Sequence, residues 1–165
     1  MKKSIFKIIL IVAGLLHVLF FFVLPFAVMY ESISTMGDLA SALGLNTDIP
    51  ARLTGRSILS FAELADYAGA QRAMFTVAVI LPLVLGIIIA LINLAFNGRR
   101  SSVLTIILSF IQIFPYLLIR ALCSGLEGYY YETSGGSFGL ITILIIIQII
   151  VAILAVITCR SKKNA

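Results

Sequence analysis

Four long apolar runs, separated by polar connections, constrain this chain more than any other feature of its sequence. They cover about residues 5–29, 73–96, 102–122 and 138–158. A run of ~20 apolar residues is long enough to cross the hydrocarbon core of a bilayer as an α-helix. No water reaches the backbone in that core, so a spanning segment must satisfy its own polar groups, as a helix does. The pattern therefore predicts an all-α membrane protein with four transmembrane helices.

The composition leaves little chain for anything outside the membrane. Of the 165 residues, 61% are hydrophobic and only 12% are charged, which is far from the balance of a soluble domain. The one connection of some size covers residues 31–72. We therefore predict a single transmembrane domain over residues 1–165, built as a compact four-helix bundle with up-down topology, and no soluble catalytic domain.

The charged residues divide between the connections by sign. All seven acids lie in the connections after the first and third runs. Most of the cations lie instead at the two termini or between the second and third runs: Lys2, Lys3, Lys7, Arg99, Arg100, Arg160, Lys162 and Lys163. By the positive-inside rule, both termini are predicted to be cytoplasmic and the 31–72 connection to be an outer loop. The net charge of +5 is spread over short flanks, so we predict no nucleic-acid binding.

The first run begins with basic residues, as a secretory signal peptide does. Its apolar part is too long for a signal peptide, and cleavage after Ala27 would place Pro25 where a small residue is needed. We therefore expect an uncleaved helix.

Three prolines fall in the outer halves of the predicted helices. Pro25, Pro82 and Pro115 each remove a backbone hydrogen bond and favour a kink. Kinks at similar depth would open an outward-facing vestibule, with Tyr116 and Arg120 near its mouth.

The third run differs from the others because polar residues recur along it at three- and four-residue steps. On a helix, such positions share one face. This stripe consists of Ser102, Thr105, Ser109, Gln112, Tyr116, Arg120 and Cys123. The opposite face is apolar and suits lipid tails, so the stripe must face other helices or water. Arg120, near the helix end, either reaches the headgroups or pairs with an acid of an outer connection.

Three polar residues on different runs fall at nearly the same depth in a ~30 Å hydrocarbon core: His17, Gln112 and Gln148. An unpaired polar side chain there costs several kcal/mol, so we predict that the three converge in the interior. In one interpretation they bond one another and define helix register, each bond adding ~0.6 kcal/mol. In the other, His17 titrates and relays a proton or meets a polar ligand.

The second run carries a small-residue stripe with a four-residue period. Its members are Ala78, Pro82, Gly86 and Ala90. Small residues at this spacing let a second helix backbone approach closely. We predict a helix-packing surface along this face.

The residues needed for several kinds of chemistry are absent. No carboxylate lies within any run, so proton-coupled export lacks its titrating acid. Cys123 and Cys159 are expected at opposite ends of the membrane, too far apart to bridge. No Cys-x-x-Cys, His/Cys cluster, nucleophilic triad or phosphate-binding loop occurs. The sequence predicts no enzyme, no metal and no cofactor.

Two functional hypotheses follow. In the first, the chain is a small non-enzymatic membrane protein that acts through a membrane-protein partner or as a homo-oligomer, using the small-residue stripe and the outer loop. In the second, it is a small permease or channel-like protein whose path follows the polar stripe and His17. A dry stripe favours the first hypothesis and a water-lined stripe the second. The Ile- and Lys-rich usage suggests a bacterial plasma or inner membrane.

Overall fold

The computed structural model describes residues 2–29, 52–55, 72–96, 98–125 and 131–161. It contains four helices: α1 (Lys2–Val23), α2 (Arg72–Ala95), α3 (Arg99–Gly125) and α4 (Gly135–Ser161). Three segments among the described residues are long and apolar enough to cross a membrane, namely Ile5–Val23, Arg99–Ala121 and Gly135–Cys159. The apolar part of α2, Val79–Ala95, is shorter. The chain thus has the helices of a membrane protein, as the apolar runs predicted.

The helices pack in a closed order, each against two neighbours. α1 contacts α2 and α4, and α3 contacts the same two helices from the other side. At one end, here called the termini end, α1 and α3 begin while α2 and α4 end. There Lys7 Nζ donates a hydrogen bond to the carbonyl of Leu94 at 3.0 Å.

A small antiparallel sheet forms the opposite end, here called the sheet end. Its strands are β1 (Ala27–Met29), β2 (Arg52–Leu53) and β3 (Tyr131–Thr133), in the order β2-β1-β3. Ala27 lies opposite both Leu53 and Thr133. The expectation of an all-α protein missed this sheet, because strands of two or three residues are too short to show an alternating pattern.

The first helix ends earlier than predicted. We expected a span over residues 5–29, but α1 stops at Val23 and the chain enters β1 at Ala27. Pro25 explains the difference, because proline cannot donate the next helical hydrogen bond and disfavours helical geometry in the residue before it. The predicted kink at Pro25 is therefore wrong, whereas Pro82 and Pro115 do lie inside helices. Most of the predicted outer loop, residues 31–72, lies outside the described residues.

Large apolar side chains fill the sheet end. Phe21, Phe26, Tyr131 and Phe138 are all buried there, and the rings of Phe26 and Phe138 lie 5.6 Å apart. Gly55 packs directly on Phe21, and a β-carbon added to it would collide with that ring. The short segment around β2 is thereby held against the end of α1.

Candidate functional site

The polar stripe of α3 lies almost entirely inside the protein. We call Ser102, Thr105, Ser109, Gln112 and Tyr116 the polar seam; none of them is more than 5% exposed, and the middle three are fully buried. Only Arg120, toward the sheet end of the stripe, is exposed. The structure therefore turns the stripe toward the other helices, and the opposite face of α3 outward.

Hydroxyl groups in the seam first bond to their own helix. Thr105 Oγ1 donates to the carbonyl of Ser101 at 2.9 Å, and Ser109 Oγ donates to that of Thr105 at 2.6 Å. A hydroxyl has one proton to donate, but its oxygen can still accept. These oxygens are therefore available to donors on the neighbouring helices.

Two amides use those oxygens and join three helices. Asn93 Nδ2 on α2 donates to Thr105 Oγ1 at 2.7 Å, and Gln148 Nε2 on α4 donates to Ser109 Oγ at 2.6 Å. All four side chains are buried, with at most 1% exposed. Each of these interhelical bonds fixes the depth and rotation of α3 relative to a neighbour.

Asn93 is the residue that sequence reasoning missed. It is the single amide inside the apolar part of α2, and it lies three residues beyond Ala90, on the face of the small-residue stripe. That position could have indicated a buried polar contact, since it continues a predicted packing face. Asn93 also bonds to the carbonyl of Ile89 at 2.9 Å, so its side chain is held at two points.

His17 connects α1 to the seam at mid-length. Its Nδ1 lies 3.2 Å from the hydroxyl oxygen of Tyr116, and the two rings are 5.9 Å apart. The imidazole also lies close enough to Gln148 to interact with it. His17 Nε2 and Gln148 Oε1 are both buried, yet neither meets a partner in good hydrogen-bonding geometry. A small rotation of either side chain would let Nε2–H donate to that oxygen, with Tyr116 donating to Nδ1.

Gln112 occupies the middle of this layer without a bond of its own. It lies one turn from Ser109 and one turn from Tyr116, and it is fully buried. Neither its Nε2 nor its Oε1 has a hydrogen-bond partner among the described residues. His17, Gln112 and Gln148 are all buried, but Gln148 bonds to Ser109 and His17 approaches Tyr116, while neither polar atom of Gln112 is bonded.

The small-residue stripe of α2 is occupied within the chain. Pro82, Gly86 and Ala90 are buried, and the helix that approaches them is α1. A β-carbon added to Gly14 would lie 2.8 Å from the carbonyl oxygen of Gly86 and 2.9 Å from the backbone nitrogen of Ala90. Glycine at position 14 therefore sets the close approach of the two backbones. The side chain of Ala78 lies outside the described residues.

Two clefts open beside the seam, at different ends. The termini cleft has a volume of about 490 Å³ and includes Lys7, Asn93 and Ser102 in its lining. The side groove, between α3 and α4, has a volume of about 140 Å³ and includes Tyr116 and Arg120.

Among the described residues, the two clefts share no lining residue. The polar side chains between them are fully buried: His17, Thr105, Ser109, Gln112 and Gln148. The seam is therefore closed to bulk solvent at mid-length.

The described residues hold no candidate metal centre. Among them, no three His, Cys, Asp or Glu side chains lie close enough to hold a metal ion. Both cysteines are free thiols: Cys123 is buried in the apolar cluster of the sheet end, and Cys159 lines the termini cleft. The cysteines thus lie at opposite ends, as expected.

Comparison with known proteins adds no identity. No protein-family model, no curated protein and no solved structure matches this chain.

Proposed function

We propose that this protein is a single-domain, four-helix transmembrane bundle with both termini cytoplasmic, resident in a bacterial cell membrane, and that it acts without catalysis through contacts with a membrane-protein partner or a second copy. One observation carries this proposal. The polar seam, which is the only long polar surface in the four apolar runs, is closed and hydrogen-bonded inside the chain.

A closed seam argues against a conducting path. A pore for polar solutes needs continuous groups that water or the solute can reach. Here Thr105 and Ser109 are fully buried, and their oxygens already accept from Asn93 and Gln148. Opening a path along α3 would break both interhelical bonds at once, so the seam is best explained as the polar contact that holds the helices together.

Among the described residues, one surface suits a partner contact. The small-residue stripe already packs on α1, so it offers nothing to a second protein. The outward faces of the helices are apolar, with Arg120 exposed at the edge of the side groove. A guanidinium bonds well to a carboxylate, particularly where water is scarce. The side groove therefore suits a partner helix that carries an acidic residue near its outer end.

A small permease is the second candidate, and one observation favours it. The termini cleft reaches Asn93, and beyond the Asn93–Thr105 bond lies Gln112 with both of its polar atoms unpaired. In a permease, a movement of α2 would connect the termini cleft to the space around Gln112 and so open a path from the termini end.

Cysteine accessibility separates the two candidates. In a chain with Cys123→Ala and Cys159→Ala, single cysteines are placed at Thr105, Ser109 and Gln112, and intact cells or sealed vesicles are treated with a membrane-impermeant thiol reagent. We expect all three positions to be protected, because no water reaches them. Labelling of Gln112→Cys would overturn the proposal and favour the permease.

Matched controls make protection interpretable. Arg100→Cys is exposed beyond the apolar part of α3 and should be labelled in inside-out vesicles, where the termini end faces the reagent, but not in intact cells. Phe110→Cys is 58% exposed on the outward face of α3, where lipid covers it, and should be protected. If the seam positions behave like Phe110→Cys, they are dry. If they behave like Arg100→Cys, they line a path.

A further inference from the structure

The termini cleft combines a cation, a polar floor and an apolar wall. Lys7 is half-buried at its edge, and Asn93, Ser101 and Ser102 form polar parts of its lining. The other side is apolar, formed by Phe6, Leu10, Phe96 and Ala155. At about 490 Å³ the cleft is far larger than the ~30 Å³ that one water molecule occupies. It has room for a molecular group that is polar at one end and apolar at the other.

Charge at this end of the molecule has one sign. Arg99 and Arg100 are exposed at the start of α3, next to the cleft, and further cations flank the chain termini. The one acid among the described residues is Glu132, which lies on β3 at the sheet end. An occupant of the termini cleft is therefore expected to be an anion, held by Lys7 and supported by the field of the neighbouring arginines.

The position of the cleft identifies the kind of anion. It lies where the apolar segments end and the cationic flanks begin, which is the depth of phospholipid headgroups. Basic pockets between helices at this depth suit anionic headgroups, because the phosphate meets the cation while the acyl chain stays in the hydrocarbon. Lys7 donates to the carbonyl of Leu94, and a lysine ammonium can serve more than one acceptor, so a phosphate oxygen in the cleft can join its contacts.

We propose that the termini cleft binds the phosphate headgroup of an anionic phospholipid from the adjoining leaflet, with Lys7 pairing with the phosphate and Phe6 and Phe96 lying along the first part of an acyl chain. The inference requires helices in a bilayer but not the proposed partner role. Either can fail while the other holds.

Cys159 provides a native reporter, because it lines the same cleft. In the full chain carrying Cys123→Ala, it is the sole thiol. The protein is reconstituted in nanodiscs of phosphatidylcholine alone or of phosphatidylcholine mixed with phosphatidylglycerol, and the rate of reaction with uncharged N-ethylmaleimide is measured by mass spectrometry. We expect phosphatidylglycerol to slow the reaction, because the headgroup covers the thiol.

Two charge variants distinguish a specific site from a general surface effect. Lys7→Gln should weaken binding about fivefold, which corresponds to the ~1 kcal/mol typical of one basic residue near an anionic lipid. Protection of Cys159 then needs about fivefold more phosphatidylglycerol. Arg100→Gln removes the same charge at the same end but does not line the cleft, so it should keep the original dependence. Equal effects of the two variants would overturn the proposal.

Two further arms complete the test. Thr158→Phe, at a half-buried position in the cleft lining, should fill the site and make the reaction slow in both lipid mixtures. Inorganic phosphate added to phosphatidylcholine nanodiscs should leave the rate unchanged. If inorganic phosphate alone slows the reaction, the cleft binds a free anion and the lipid assignment is wrong. The assignment is also wrong if the reaction rate of the Cys123→Ala chain is the same with and without phosphatidylglycerol. If Thr158→Phe fails to fold, the comparison of Lys7→Gln with Arg100→Gln still tests whether the cleft binds the headgroup.

Discussion

The two ends of this protein are held together by different forces. Toward the termini end, small hydroxyl and amide side chains tie α2, α3 and α4 through buried hydrogen bonds, as Asn93 does with Thr105. At the sheet end, aromatic side chains such as Phe26 and Phe138 fill the interior, and three short strands cover it. The first region is polar and leaves the large termini cleft, whereas the second has an apolar interior with only the smaller side groove beside it.

The difference reflects the solvent around each region. Between helices in a bilayer, lipid tails are as apolar as leucine, so burying leucine gains little, and small residues and hydrogen bonds supply the specificity. β2 and β3 lie outside the apolar runs, and water beside them would restore the hydrophobic effect, which makes burial of an aromatic ring strongly favourable. The same chain thus uses the interaction that each environment makes effective.

The largest expected effect comes from truncating the apolar core. Phe26→Ala should lower the free energy of unfolding by ~3–5 kcal/mol, because Phe26 is fully buried and its ring packs on Phe138. Reversible unfolding in detergent micelles measures the change. Phe22→Ala is the control, since Phe22 is 48% exposed and should cost far less. Equal losses in the two variants would show that the sheet end is not a packed core.

An intermediate effect distinguishes the two glutamines of the polar layer. Gln112→Leu should raise stability by ~1 kcal/mol, because it removes a buried amide that has no partner. Gln148→Leu should lower it by ~0.6 kcal/mol, because it removes the bond to Ser109. The same unfolding assay compares them. If Gln112→Leu instead lowers stability, the Gln112 amide forms a hydrogen bond in the bilayer.

A further effect, seen only at alkaline pH, concerns the sheet end. Burial raises the pKa of Tyr131 from its ordinary value of 10.0 to about 12. The folded state therefore holds this proton more tightly than the unfolded state does. The associated stability is complete below about pH 10 and is lost as pH rises toward about 12. Unfolding measured across this range should show the native chain losing stability relative to Tyr131→Phe. If the free energies of unfolding of the two chains change in the same way with pH, Tyr131 is not buried in the folded state.

The helices were the most predictable part of the fold. A long apolar run is a local property, so α1, α3 and α4 follow from hydropathy alone. The period of the stripe on α3 was also local, and it placed Thr105, Ser109 and Gln112 on one face before any packing was known. The sheet could not be predicted in this way, because it joins β1 to two strands that lie far away along the chain.

Hydrogen-bond partners were the least predictable part of the candidate site. The sequence identified His17, Gln112 and Gln148 as a layer, yet Gln148 bonds to Ser109 and Gln112 is bypassed. Asn93, which carries one of the two amide bonds to the seam, was missed. A hydrogen bond weakens steeply within a few tenths of an ångström, whereas depth estimated from the sequence is uncertain by about a helical turn.

By itself, the sequence determined which segments are apolar enough to cross a membrane and which face of α3 is polar, because hydropathy and helical period depend only on neighbouring residues. The tertiary structure decided the rest: that α1, not a second protein, covers the stripe around Gly86, that the seam is closed, and that a cleft opens beside Lys7. Those outcomes depend on the rotation and depth of each helix relative to its neighbours, and these quantities exist only once the helices pack.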